Sequence, residues 1–301
     1  DRASVNVSAV HYETREKCPV DSATALSVIL HPRHPSAPSM HFHISYMEPR
    51  KKDSRPYWRM IADLNPSRTS PSSILVFQDA IRKCNPEHLK SGLYDRAVEF
   101  GDRYFYIPVL RRHRGASHFF VGKLQESEDI EHKDALKLAS SLAEAAIEAY
   151  VRVVQHEIDS NREDKLTVTD RVAQLSYHTM YTFQVLTLDK GTTHGLLAHS
   201  DNDVGTLGSL PMRADTNLLE AWGEMLKEKK IPQHELMERV VSTIRTHGDK
   251  TDMGGVYVVN DETRSELASC VRIFYKSNHA AIKSQADLDL AQWEKWMKEL
   301  K

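Results

Sequence analysis

The stretch A-L-S-V-I-L-H-P-R-H-P-S-A-P-S-M-H-F-H-I-S-Y-M-E, Ala25–Glu48, holds two apolar runs around a loop with three prolines, Pro32, Pro35 and Pro38. Apolar runs bounded by proline-rich turns read as strand, rigid loop, strand. In the second run the side chains alternate, with Met40, Phe42, Ile44 and Tyr46 on one face and His41, His43 and Ser45 on the other. After a charged loop, P-Y-W-R-M-I-A-D-L-N-P, Pro56–Pro66, repeats the arrangement. Trp58, Met60, Ala62 and Leu64 form its apolar face; Tyr57, Arg59, Ile61 and Asp63 form the other. The two strands are therefore expected to share a core face, with imidazoles and a carboxylate gathered on the opposite side.

The composition sets bounds. With 301 residues, 40% of them hydrophobic, the chain is long enough for one large domain or two. A net charge of -2 with no basic excess argues against a nucleic-acid partner. No apolar run approaches the roughly 20 residues of a membrane-spanning helix, so membrane contact is expected to be peripheral at most. Cys18, Cys84 and Cys270 are odd in number and widely spaced, which fits a reducing compartment and no disulfide framework. Asp1 leads almost directly into a strand-like run, Val5–Val10, so an upstream segment is expected.

Along the rest of the chain, Ser70-Pro71 is expected to open a helix running to Lys83, and a second helix to run from Pro86 to Asp102. Residues 129–158 carry apolar side chains at helical spacing. Tyr177–Asp189 reads as a strand, followed by the turn signal D-K-G. Helices are expected at 216–229, 233–247, 261–283 and 285–300, with a short strand in G-G-V-Y-V-V. The last helix has an apolar stripe of Leu288, Trp293, Trp296, Met297 and Leu300, which either packs on its own domain or docks another subunit. His41 and His43, two apart on one strand face, invite the thought of a metal, but no third ligand can be placed and none is expected. Walker, G-x-G-x-x-G and G-x-S-x-G motifs are absent.

The run H-P-x-x-P-x-A-P-x-x-H-F from His31, then Y-M-E, then W-x-x-x-x-D-L-x-P from Trp58, resembles the oxygen-dependent coproporphyrinogen III oxidases, whose text is close to H-P-K-N-P-H-A-P-T-x-H-F-N-Y-R-Y-F-E and W-W-F-G-G-G-x-D-L-T-P. Further likenesses are Y-F-Y-I-P with R-G near residue 105, T-L-D-K-G-T-T-H-G-L as a hairpin, and L-G-S-L-P at Leu207–Pro211. The likeness fades near His247, so residues 1–247 are expected to form the family domain and 248–301 a mainly helical extension. The resemblance implies an α+β fold, a large antiparallel sheet with helices on both faces.

What the resemblance implies for chemistry is an oxidative decarboxylation of two propionate arms of a porphyrinogen, with O2 as co-substrate and no metal or organic cofactor. Such a substrate needs guanidinium forks for its carboxylates, a carboxylate for its pyrrole N–H groups and a proton-transfer group. By resemblance His41 is the candidate proton donor, Asp63 the carboxylate for the N–H groups, and Ser27, His43, Ser45 and Arg114 candidate substrate-binding positions. The departures are as informative. The family's N-Y-R is His43-Ile44-Ser45 here, its G-G-G before the aspartate is filled by Arg59-Met60-Ile61-Ala62, and its aspartates after F-F are replaced by Val121-Gly122-Lys123. Its G-S-R loop matches Ser200-Asp201-Asn202, an arginine aligns with Met180, and Tyr181-Thr182-Phe183-Gln184-Val185 replaces the strand Y-V-E-F-N-L.

Two functional readings follow. One is a catalytically inactive homologue recruited as a structural or accessory subunit of a larger mitochondrial assembly through its C-terminal helices. The other is an active, divergent oxidase using His41 and Asp63. Expected partners are a second copy or a hetero-oligomeric complex, and the expected location is mitochondrial, with the cytoplasm as the alternative.

Overall fold

A computed structural model describes residues 2–11, 20–68, 70–85, 92–125, 131–161, 165–198 and 202–285. The fold is α+β. Five strands, β1 (Arg2–His11), β2 (Val20–His31), β3 (Ser39–Pro49), β4 (Tyr57–Asn65) and β7 (Ser117–Gln125), form one antiparallel sheet in the order β1-β2-β3-β4-β7. The expected proline loop connects β2 to β3, tightened by the Ala37 amide donating to the His34 carbonyl at 3.0 Å. Between β4 and β7 come α1 (Pro71–Lys83), α2 (Leu93–Tyr104) and the two-residue strands β5 (Tyr106–Ile107) and β6 (Arg112–His113).

Alternation sorts the central strands as the sequence implies. Met40, Phe42, Met60, Ala62 and Leu64 are fully buried on one face, where α1 and α3 (His132–Ser160) cover them. Helix α3 presents Ala135, Leu138, Leu142, Ala146, Ala149 and Val153 at steps of three and four, the spacing that keeps side chains on one side of a helix. Helix α2 packs along β7 through Gly101, where a Cβ would lie 2.9 Å from the His118 Cβ. Ser70 stands at the start of α1 as expected but does not cap it; its hydroxyl and that of Ser73 both donate to Oε1 of the buried Glu157 on α3, Ser73 at 2.5 Å.

The second half is helical: α4 (Val168–Thr187), α5 (Lys190–Ala198), α6 (Asp203–Thr206), α7 (Thr216–Glu228), α8 (Gln233–His247) and α9 (Asp261–Ser277), then a 3-10 helix, His279–Ser284. The short strands β8 (Arg213–Asp215), β9 (Asp249–Lys250) and β10 (Val256–Val258) form a three-stranded sheet with β10 in the middle. A separate core gathers Tyr177, Phe183, Leu207, Leu219, Leu236, Val240, Phe274 and Tyr275. Arg2 ties the two halves together, its guanidinium donating to the carbonyls of Leu210 at 2.8 Å and Val259 at 2.6 Å.

One expected element is overturned. Tyr177–Asp189 is not a strand leading into a hairpin; Tyr177–Thr187 is the C-terminal part of α4. A capping box, Thr167 with Asp170, starts the helix, and the β-branched residues that suggested a strand are accommodated because Thr179, Thr182 and Thr187 donate to carbonyls four residues back at 2.8, 3.1 and 2.6 Å. Every residue from Tyr177 to Thr187 is buried, so no polar stripe marks the helical period. D-K-G likewise opens α5, with the Asp189 carboxylate accepting from the Thr192 amide at 2.9 Å. Helix α2 begins at Leu93, residues 86–91 of the expected helix lying outside the described residues, as does residues 286–301, nearly all of the expected last helix.

Glu157 on α3 is where the helical layer is pinned. Replacing it by Ala would leave two hydroxyls without their acceptor and is expected to cost about 1–3 kcal/mol in urea unfolding, with the slope of the transition unchanged.

Candidate functional site

The sheet register brings the candidate residues together on the face opposite the α1–α3 core. His41 pairs across β3 and β4 with Asp63, His43 with Ile61, and Ser45 with Arg59; Ser27 on β2 faces His43. Ser27 Oγ and His43 Nδ1 are 2.6 Å apart. Burial, then the nearby His41 and Arg59, pushes the His43 imidazole down to about 3, so it is neutral at physiological pH.

Asp63 is the centre. It has 0% exposure, and Arg114, 4% exposed, donates from Nη2 to Oδ2 at 2.7 Å. His41 Nδ1 lies 2.9 Å from the same oxygen, and the Asn65 amide donates to Oδ1. Burial alone would raise the Asp63 carboxyl, but Arg114 and His41, with the hydrogen bonds from His41 and Asn65, outweigh it and hold the group below the usual carboxylate range. An ionised carboxylate only accepts, so the His41 proton facing it sits on Nδ1. Burial would lower the Arg114 guanidinium; Asp63 and the neighbouring Tyr181 and Tyr177 reverse that and raise it.

Local structure explains why Arg114 reaches Asp63. The arginine leaves the β6–β7 turn beside Gly115, where any side chain would collide with Asn65, since a Cβ would fall 1.8 Å from Asn65 Oδ1. The guanidinium stacks over Phe105 at 4.0 Å and Tyr181 at 5.1 Å and also donates to Gln184 Oε1 at 3.3 Å. Tyr181 and Gln184 belong to α4, so the ion pair joins sheet and helical half. Their part is hidden in the sequence once Tyr177–Asp189 is read as a strand. A second buried group flanks the first: His31 donates from Nε2 to the Ser209 carbonyl at 3.0 Å, its Nδ1 lies 2.9 Å from Ser39 Oγ, and its ring meets those of His178 and Tyr181 edge-on.

Of the six candidate positions, then, His41, Asp63 and Arg114 form one hydrogen-bonded cluster, and Ser27 and His43 a pair beside it. Ser45 is buried, and among the described residues its hydroxyl has no hydrogen-bond partner. Among the described residues no three His, Cys, Asp or Glu side chains are grouped to hold a metal.

Residues 1–242 match the family model described as coproporphyrinogen III oxidase. The chain belongs to the coproporphyrinogen III oxidase family. It is 26% identical over 251 residues to the oxygen-dependent coproporphyrinogen-III oxidase, mitochondrial, of Rattus norvegicus, covering 77% of this chain and 55% of that protein. The human protein of the same name is 25% identical over 211 residues, covering 69% and 45%, and the chloroplastic oxidase of Glycine max is 27% identical over 235 residues, covering 71% and 59%. The chain thus spans about half the length of the family relatives it matches.

Two expectations follow for the cluster. Asp63→Asn leaves Arg114 buried without its counter-charge and is expected to lose about 3–5 kcal/mol at pH 7 in denaturant unfolding. Because the folded Asp63 titrates below its unfolded value near 4, wild type keeps this contribution above about pH 4 and loses it as the pH drops through the folded pKa, so the gap to the variant narrows in acid. His178 behaves with the same pH direction but in a higher window. Burial pushes it down to about 4, so the unfolded chain takes up a proton below about 6.5 that the folded one refuses, and stability falls from there toward pH 4. His178→Phe is expected to flatten the pH dependence of the urea midpoint between these values.

Proposed function

We propose that this member of the family is non-catalytic and serves as a structural or accessory subunit of a larger assembly, in mitochondria. The observation that carries the reading is the state of Asp63. The carboxylate that should receive pyrrole N–H groups has no exposure and already accepts from Arg114, His41 and Asn65, so three of its roughly four lone-pair directions are used internally. The glycine run that would let substrate approach the backbone is filled by Arg59, Met60, Ile61 and Ala62, of which the last three are buried. Arg114, the guanidinium of the cluster, is committed to Asp63 rather than open to a substrate carboxylate. The mitochondrial location is supported by the names of the rat and human relatives.

One observation favours a second reading, an active oxidase with O2 as co-substrate and no bound cofactor. The His41 side chain is 17% exposed, and with Nδ1 held on Asp63 its Nε2 is the atom that would exchange a proton with a reacting propionate. The experiment that separates the two is anaerobic mixing of the purified chain with coproporphyrinogen III, admission of O2, and assay of protoporphyrinogen and CO2. The expected result is no product above the protein-free rate. Turnover that disappears in His41→Gln with the fold intact would establish the oxidase instead. For the assembly, removing residues 286–301, most of the expected last helix, is expected to release a copurifying partner.

A further inference from the structure

We infer that strand β1 is an interface between two copies of this chain, each β1 pairing antiparallel with the other so that one sheet runs through both. The strand forms an outer edge of the five-stranded sheet, and among the described residues no strand pairs with its free side. It pairs with β2 over all ten of its residues, from Arg2↔His31 to His11↔Ser22, without a bulge. Folded proteins blunt a long edge of this kind with prolines, bulges or charged side chains. Between Ala3 and Val10 this strand has none of them. Arg2, at its start, is drawn to the carbonyls of Leu210 and Val259.

The sequence of the edge points to a second copy as its occupant. Ala3-Ser4-Val5-Asn6-Val7-Ser8-Ala9 reads the same in both directions about Asn6. In a two-fold interface, whatever residue i meets on its partner meets residue i in return. Antiparallel strands centred on Asn6 therefore set each side chain against its own kind: asparagine against asparagine, Val5 against the partner's Val7, Ser4 against the partner's Ser8, Ala3 against the partner's Ala9. No charge lies in this stretch, so like meets like without repulsion. Ser4, on one face of the strand, lies against Gly208, where a Cβ would come within 2.8 Å of its hydroxyl oxygen. On the other face Val5 and Val7 are 67% and 75% exposed. Two apolar rows lead out of the first core to them across β3, β2 and β1, Phe42 to Val28 to Val5 and Ile44 to Leu26 to Val7. Both rows stop at the open edge. In the paired arrangement each row of one copy continues into the other row of its partner, and each exposed valine gains a β-branched neighbour across the strands.

The test is the oligomeric state of the full 301-residue chain, so it stands whether or not the chain proves to be an oxidase. Sedimentation velocity at concentrations up to about 0.1 mM is expected to show wild type passing from 34.3 kDa to twice that mass. Val5→Lys combined with Val7→Lys sets lysine against lysine at two places across the axis and is expected to weaken the dimer about tenfold or more. Val5→Lys combined with Val7→Glu sets lysine against glutamate at the same two places and is expected to keep it. Both valines are exposed, so circular dichroism and melting temperature of the two monomers should match wild type. In wild type, with no substitution made, hydrogen exchange of the backbone amides of residues 3–9 is expected to slow as concentration rises through the transition. A wild type that stays monomeric, a dimer indifferent to the lysine pair, a dimer broken as readily by the lysine–glutamate pair, or β1 amides indifferent to concentration would overturn the assignment.

Discussion

The buried pair of Asp63 and Arg114 holds the molecule's two halves in one arrangement. Neither charge can be left alone in that position, and each is oriented by groups from a different part of the chain: His41 and Asn65 for the carboxylate, Phe105, Tyr181 and Gln184 for the guanidinium. The pair consequently fixes where α4 sits against β3, β4 and the β6–β7 turn. Asp63 is, in this chain, an anchor of the packing.

Much of this was legible beforehand, for a physical reason. One face of the central strands is covered by α1 and α3, and burial of Met40, Phe42, Met60 and Leu64 there imposes the period of two, although β4 is buried on both faces. Register then follows, and with it the meeting of His41 and Asp63. Helices α1, α3, α7 and α8 were equally visible because each has a buried and a wet side. Helix α4 was not, since its C-terminal half is buried all round and rich in threonine and aromatic residues, so neither period nor propensity distinguished it from a strand. Everything that α4 brings to the site, Tyr177, His178, Tyr181 and Gln184, was hidden with it.

The chain belongs to the oxidase family, and on its sheet His41 and Asp63 meet across β3 and β4 beside the bulky Arg59, Met60 and Ile61. The Asp63 carboxylate is sealed from solvent and bonded internally. A fold can keep the skeleton of an active site while changing what that skeleton is asked to hold.

The opposition of Ser45 and Arg59 has a wider meaning for how such sites drift. Opposite residues on adjacent antiparallel strands have Cβ atoms only about 5 Å apart, less than the reach of an arginine side chain. Comparison of motifs column by column scores Ser45 as an arginine lost, yet a guanidinium stands across the strand pair from it. On a sheet the address of a functional group is a patch of surface with several chain positions able to serve it, so the chemistry of a patch can persist through substitutions that erase its signature in the text.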